Sequence, residues 1–497
     1  MDSIAPSHSA DAAPRGYLTE LLWNQVWQSA NFVSKALFLL ILTPLMLKRW
    51  GGDGFGLFGL SSSLLVSMAL TDGGVRSLTR LRLTEALRNS DESEFRRALG
   101  EGLFTFMAVL FFVILAATGL AACGWMRTIL KLPAGGPLVL VATAVLTGAS
   151  MTSLLALEPL AARGRLSAIK AANTWGAALA IPVCGLALWL NGSVLLVVFL
   201  YSVCMIVPNL ILIIQAGILP LLPSWKEFAG SPRVVFGTLR SGIWYYATTI
   251  ALVIKTHGLT FVVSALAGPA QAGIFYFMLR LTEILSSLGS TASETSLASL
   301  ASTEIAGERR QKLNHCWQYV ALFCLPGALV FAFQGGWLLR LWFPHQNLLW
   351  PAGLGMAVFG LAGAFSRMVV NASMGLQLVK AAAVSNLAEA ALNVCGALIG
   401  YQSAGLPGVL AGGCAGVLMM LRPARGIAAR CGESFFNAFV RPLSSLAAGM
   451  AIVAFTEAAA ASTGSFTLKF AAVAVVGIIT LIQLRRLHRR GPAGFVG

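Results

Sequence analysis

The stretch WNQVWQSANFVSKALFLLILTPLM, from Trp23 to Met46, decides the class of this chain. Its second half is almost wholly apolar. Its length suits a helix that crosses a bilayer, because at 1.5 Å per residue roughly 20 apolar residues cover a hydrocarbon core about 30 Å thick. Its first half is the unusual part. Asn24, Gln28, Asn31 and Lys35 are spaced by four, three and four, and so fall on one helical face. A polar stripe that ends in a full charge is costly in hydrocarbon. That face therefore turns toward an interior cavity or toward another helix, and not toward lipid.

Similar apolar stretches recur along the chain, about fourteen in all. They lie near residues 23–46, 55–75, 102–124, 137–158, 171–190, 193–214, 242–265, 273–298, 317–335, 348–370, 382–400, 405–421, 443–461 and 466–484. This predicts an all-α, polytopic membrane protein. Of 497 residues, 57% are hydrophobic and 11% charged, with a mean hydropathy of +0.78, so no sizeable aqueous domain fits between the spans.

The net charge of +16 does not mark a nucleic-acid partner, because the basic residues sit in alternate loops. One set of loops and the two tails hold 25 of the 35 Lys and Arg residues, among them Arg76, Arg80, Arg82, Arg88, Arg96 and Arg97 after the second span. The opposite set holds six: Lys48, Arg49, Arg127, Lys131, Arg340 and Lys469. By the positive-inside rule the rich loops and both termini are cytoplasmic, as an even number of spans demands. The wider basic gaps near 76–101, 215–240 and 422–442 are amphipathic and suited to the membrane surface.

The eight cysteines lie mostly in apolar spans, without CxxC or Cys/His ligand spacing, and read as small packing residues. There is no P-loop, no HExxH and no nucleophile elbow, so neither a catalytic residue, a cofactor nor a metal site is expected, and the chain does not read as an enzyme. The first 20 residues are polar and lack the apolar core of a cleavable signal peptide.

An internal repeat appears at an offset of 217 residues. Trp50-Gly51-Gly52-Asp53-Gly54-Phe55-Gly56-Leu57-Phe58 falls opposite Ala267-Gly268-Pro269-Ala270-Gln271-Ala272-Gly273-Ile274-Phe275, with identities at Gly51/Gly268, Gly56/Gly273 and Phe58/Phe275. Each copy is a tight turn that follows one long span and opens another. Six spans separate the copies, so both halves have the same orientation, a parallel repeat about an axis along the membrane normal. The expected organisation is a first six-helix lobe over 1–240, a second over 241–431, and a helix pair with a basic tail over 432–497.

Two six-span bundles with a final pair, a polar first span and the Trp50-Gly51…Phe55-Gly56-Leu57-Phe58 turn together resemble the polysaccharide-transport branch of the multidrug/oligosaccharidyl-lipid/polysaccharide exporter superfamily. The second turn, Ala272-Gly273-Ile274-Phe275-Tyr276, and the basic connection Val75–Glu101 with its Arg82-Leu83-Thr84-Glu85-Ala86-Leu87 run fit the same pattern. The resemblance spans nearly the whole chain. It implies a flippase for undecaprenyl-diphosphate-linked oligosaccharides in the bacterial inner membrane, serving O-antigen and lipopolysaccharide, capsule or exopolysaccharide synthesis. It also implies that the last two helices contact the lipid tail. The partners to expect are the lipid-linked substrate, membrane lipids, H+ or Na+ as candidate coupling ions, and a polysaccharide polymerase and glycosyltransferases.

Shifted by 217, the stripe of the first span becomes Ser241, Tyr245, Thr248 and Leu252, with Lys255 three residues further on the same face. Each lobe thus offers a lysine from its first helix, Lys35 and Lys255, and two such cations suit a lipid-linked diphosphate. Asn24, Gln28, Asn31, Tyr245 and Thr248 are the accompanying polar contacts; a plain helix–helix interface is the competing account of the first stripe. Arg280 and Glu283 lie three residues apart on one span. They are either an internal ion pair or a substrate contact beside a coupling carboxylate that exchanges a proton. Lys255 is a second candidate partner for Glu283, and Glu389 is a second coupling candidate. His257 reads as a packed, hydrogen-bonding histidine. Asp72, Glu158, Glu294 and Arg367 fall toward cytoplasmic ends, where solvation explains them. Tryptophans at span ends fit an interfacial belt.

Two rivals remain. A cation-coupled multidrug exporter of the same superfamily calls for acidic residues in the cavity, where this chain puts lysines. A membrane-embedded polymerase or glycosyltransferase calls for large outer loops, and these are short.

Overall fold

The computed structural model describes residues 13–67, 75–218, 232–301, 306–344 and 350–432. The expected spans 443–461 and 466–484, the basic tail and Asp72 lie outside the described residues, as do the side chains of Asn24 and Glu294.

Over the described residues every expected span up to residue 421 is largely helical, and the described residues contain no strand. In chain order the helices are α1 (Ala13–Ser67), α2 (Val75–Arg88), α3 (Glu92–Ala122), α4 (Trp125–Leu130), α5 (Gly136–Ala156), α6 (Glu158–Ala162), α7 (Leu166–Trp189), α8 (Val194–Gln215) and α9 (Pro232–Val253). A π-helical turn, Ile254–Gly258, leads into α10 (Leu259–Ala267), followed by α11 (Pro269–Ala301), α12 (Ala306–Trp342), α13 (Trp350–Gly375) and α14 (Val379–Gly412). A 3-10 turn, Ala415–Met420, leads into α15 (Leu421–Arg430). Among the described residues eight helical segments are long and apolar enough to cross a membrane. Two of these, Val26–Leu65 and Val379–Arg430, each hold two expected spans joined by a sharp break.

The surface is apolar where a soluble protein's would be polar: Phe111 is 62% exposed and Phe112 67%, while Thr105, Thr143, Asn209 and Glu389 are buried. Hydrocarbon solvates the first set, and helices satisfy their own backbone there. The chain is a multi-pass membrane protein.

The breaks occur where only glycine is at ease. Gly51 has φ 67° and ψ −171°, and its repeat partner Gly268 has φ 89° and ψ 172°. This region is closed to residues with a Cβ. The two turns are thus the same turn in backbone as well as in sequence. In α14 the break at Ala404–Gly405 (φ 62° at Gly405) makes a hairpin. Gly396 and Gly400 on one arm face Gly412 and Gly408 on the other, so that a Cβ at any of the four would meet opposite backbone. Small residues four apart let two membrane helices approach backbone to backbone.

The chain forms two compact units. The first comprises residues up to Leu42, Val75–Ile114 and Val145–Arg240. Here α7 packs on α8 with Gly176 against the Cys204 carbonyl, and the Thr174 hydroxyl donates to the Trp27 carbonyl (3.0 Å). Glu158 opens α6 and is fully buried; it accepts from the guanidinium Nε of Arg76 and of Arg80 (2.6 Å for Arg80), both on α2. This corrects the expectation of a solvated carboxylate. The helix that lies across the span end brings its own counter-ions and shuts water out.

The second unit comprises Thr43–Gly74, Leu115–Ala144 and the residues from Ser241 onward. In it α11, α12 and α13 pack on one another and α13 packs on α14. The amphipathic α15 buries Pro423, Ala424, Ile427 and Ala428 and leaves Arg425 and Arg430 exposed.

Candidate functional site

The buried charges of the second unit gather around the π-helical turn. Lys255 is 4% exposed and His257 2%. Two residues apart, they point to opposite sides of the helix, so the one turn serves two groups of neighbours. A single π turn inside an α-helix is frequent at functional sites.

On one side the Lys255 ammonium donates to Glu389 Oε2 (2.8 Å), to Asn386 Oδ1 (2.7 Å) and to the Ser366 hydroxyl. That uses all three of its protons. The Ser366 hydroxyl in turn donates to Glu389 Oε2 (2.7 Å), and the Asn386 amide donates to the Thr248 carbonyl (2.9 Å). The ion pair is therefore held by α13, α14 and α9 at once. Such a pair overcomes the desolvation of both charges only with further hydrogen bonds, and here Ser366 and Asn386 supply them to the ammonium and Ser366 to Glu389 Oε2.

On the other side His257 Nε2 lies 2.9 Å from Glu283 Oε1, and the Arg280 guanidinium donates to Glu283 Oε2 (2.7 Å). Arg280 also reaches the Ser62 carbonyl (3.3 Å) and sits over the Tyr276 ring, 5.1 Å from its centre. The two sides meet at a narrow cleft lined by Lys255, Thr282, Glu283, Arg367, Glu389 and Asn393, among others. Asn393 Oδ1 accepts the Gly416 backbone N–H (2.7 Å) and so fixes the start of the 3-10 turn.

The structure thus brings together Lys255, Glu389, Arg280 and Glu283. It pairs Lys255 with Glu389 and Glu283 with Arg280 and His257, in place of the alternative Lys255–Glu283 pairing. Thr248 joins through its carbonyl, while its hydroxyl bonds back to Trp244 within α9. Tyr245, one turn earlier, is 41% exposed and outside the network. Arg367 is not a surface residue as expected: it lines the cleft and donates to the Ser287 hydroxyl (3.4 Å). In the first unit Asn31 is buried, Gln28 half-buried and Lys35 exposed.

Sequence reasoning missed Ser366 and Asn386, placed Arg367 among solvated span ends and undervalued His257. A signal for one of them was available. Asn386, Glu389 and Asn393 are spaced by three and four along an otherwise apolar helix, the same kind of polar stripe that stood out in the first span.

Fold and site together define a class: a multi-pass helical membrane protein whose interior carries paired charges. No protein-family model matches the sequence, and no curated protein sequence does. Solved structures do match. The lipid II flippase MurJ in an inward closed conformation aligns over 94% of this chain and 99% of its own, with a TM-score of 0.66 and 13% identity. The MATE multidrug transporter DinF-BH aligns over 88% and 100%, with a TM-score of 0.63 and 14% identity. An inward-facing multidrug resistance MATE family transporter of the MOP superfamily aligns over 83% and 95%, with a TM-score of 0.60 and 15% identity. At such identities the likeness establishes the fold. This chain has the fold shared by MOP-superfamily transporters, flippase and drug exporter alike.

Proposed function

We propose that the chain is a flippase that carries undecaprenyl-diphosphate-linked oligosaccharide units across the bacterial inner membrane by alternating access, for O-antigen, capsule or exopolysaccharide assembly. One observation carries this reading. Among the described residues of the buried cluster, the cations Lys255, Arg280 and Arg367 face only two carboxylates, Glu283 and Glu389. A cationic excess in a low-dielectric interior recruits an anionic headgroup and repels an organic cation. On this reading the headgroup takes the place of Glu389 on Lys255. Lys35 supplies a second cation, and Asn24, Gln28, Asn31, Tyr245, Thr248 and Arg280 supply polar contacts to phosphate or sugar. Glu283 and Glu389 are the carboxylates through which an ion gradient would act. The lobes are residues 1–240 and 241–431, with 432–497 as a further helix pair and tail, and both termini cytoplasmic.

A second reading, multidrug export, draws on the drug-exporter neighbours. Purified protein in liposomes separates the two. The expected result is movement of a fluorescent polyprenyl-diphosphosugar, abolished by Lys35→Ala with Lys255→Ala, and no movement of a cationic dye. Dye transport without movement of the diphosphosugar overturns the flippase reading. Impermeant thiol labelling in intact cells, with the native cysteines removed, tests orientation: a cysteine at Lys131 should label and one at Arg163 should not.

A further inference from the structure

The buried histidine makes one contact too few. Its Nε2 is on Glu283, so in the neutral ring Nε2 carries the proton and donates to the carboxylate, leaving the Nδ1 lone pair exposed to the interior. Nδ1 is buried and makes no hydrogen bond among the described residues. A fully enclosed polar atom left in this condition is uncommon. His257 lies ten residues from the Ala267 end of its span, roughly 15 Å deep at 1.5 Å per residue, where a structural residue would more simply be apolar.

The charges that act on this ring come from Glu283 and Arg280 on α11 and Arg367 on α13; Lys255, on the same turn, points the other way and is bound to Glu389 on α14. With the imidazole neutral, the cluster carries one more cation than carboxylate. A doubly esterified diphosphate carries about two negative charges. Its entry would leave the buried cluster, to which the exposed Lys35 does not belong, one negative charge in excess, and an uncompensated buried charge is what such an interior resists most. One proton on Nδ1 restores the balance.

We propose that His257 is the proton-binding site beside the cleft: Nδ1 takes up a proton from hydronium as an anionic diphosphate headgroup enters, and returns it to water as the headgroup leaves. One N–H bond forms as one O–H bond of hydronium breaks, leaving water. Nε2–H stays on Glu283 Oε1, and the neutral imidazole becomes imidazolium. Imidazole is the side chain whose ordinary titration falls near neutrality, so the step needs no extreme pH. The inference rests on the reading of the cleft as a headgroup site. It assigns the proton to the histidine and gives Glu283 the part of positioning it.

Calorimetric binding of a short-chain polyprenyl-diphosphosugar to the full-length protein in detergent, in buffers of different ionisation enthalpy, tests this. That probe has no group of its own that titrates between about pH 6 and 8. The wild type should take up close to one proton per probe bound, and its affinity should fall about tenfold per unit rise in pH above the titration of the ring. His257→Gln should bind more weakly, take up no proton and show a flat pH profile. Binding by the wild type without proton uptake, or unchanged uptake in His257→Gln, overturns the proposal and leaves the headgroup reading standing. No binding by the wild type overturns both. Should changes at a buried ring unfold the protein, nitrogen-15 histidine spectra of the wild type read the same event. A buried Nδ1 resonance that becomes protonated on binding supports the proposal, and one that stays constant overturns it.

Discussion

Gly56 and Gly273, 217 residues apart and equivalent in the repeat, meet backbone to backbone. A Cβ on Gly273 would lie 2.9 Å from both the nitrogen and the Cα of Gly56. The next equivalent pair along the same helices also touches, since a Cβ on Gly59 would lie 3.0 Å from that of Tyr276. Contact between counterparts is the arrangement that a two-fold axis between the two turns would produce. Phe58 packs edge-on to Tyr276 beside it, with ring centres 6.3 Å apart.

This contact has no slack. Gly273→Ala should force the helices apart and lower stability by about 1–3 kcal/mol, the usual range for overpacking. Close by, a Cβ on Gly52 would sit 3.2 Å from that of Ala270. Cysteines at these two positions, in a protein stripped of its native thiols, should therefore crosslink on mild oxidation and stop transport until reduced. Failure to crosslink, judged by free-thiol mass labelling, would show that the turns do not meet.

Lys255→Met should destabilise strongly, by about 3–5 kcal/mol, because Glu389 then stays buried without its counter-ion. Adding Glu389→Leu should recover most of that loss, since the charge left stranded is itself removed. Thermal unfolding in detergent reads both changes. A double variant no more stable than the single one would mean the cluster is not the self-contained pair described here.

Glu158 is the hub of a second lock: Arg80 grips it with two N–H groups, Nε on Oε2 (2.6 Å) and Nη2 on Oε1 (3.1 Å), and Arg76 with one, Nε on Oε1. Removing either arginine alone should cost little, because the other continues to compensate the carboxylate. Removing both should cost several times more, about 3–5 kcal/mol. Strictly additive losses in a double-mutant cycle would argue against sharing.

Asp91 caps α3. The Glu94 backbone N–H donates to its Oδ1 (3.0 Å), the Ser93 hydroxyl donates to the same oxygen (2.7 Å), and together they hold this carboxyl below the usual aspartate range. A carboxyl whose folded value is depressed stabilises above its unfolded value, about 3.9, and loses that contribution as pH falls through the folded one. The protection of the Glu94 amide, its exchange relative to an unstructured peptide at the same pH, should accordingly be high at neutral pH and fall below about pH 4. Asp91→Asn should retain slow exchange and Asp91→Ala should not. Equal protection in Asp91→Ala would remove the cap from the account.

Much of this was legible before the structure. The repeat could be read because Gly51 and Gly268 answer a backbone demand that no other residue meets, and such demands survive when side chains drift. The residue types of the cluster were legible too, since Lys255, Arg280, Glu283 and Glu389 are conspicuous in hydrocarbon. Their pairing was not. It depends on helices up to 134 residues apart, as Lys255 and Glu389 are, and on a π turn that aims Lys255 and His257 in opposite directions. Glu158 was misread for a similar reason: sequence distance from a span end says nothing about the helix that folds over it.

The repeat is a repeat of backbone and not of charge. At the same offset Lys255, His257, Arg280 and Glu283 correspond to Phe38, Leu40, Ser63 and Val66, and Phe38 is buried against the Tyr201 ring, 5.2 Å from it. At these four positions the first half has kept the scaffold and holds no ionisable group; its lysine, Lys35, stands at a different place in the repeat. On the proposed reading of His257, the single such cluster among the described residues sets one titration step for each headgroup moved. The proton dependence of transport by one chain should therefore rise with a Hill coefficient near one, without the cooperativity that two matched sites would bring.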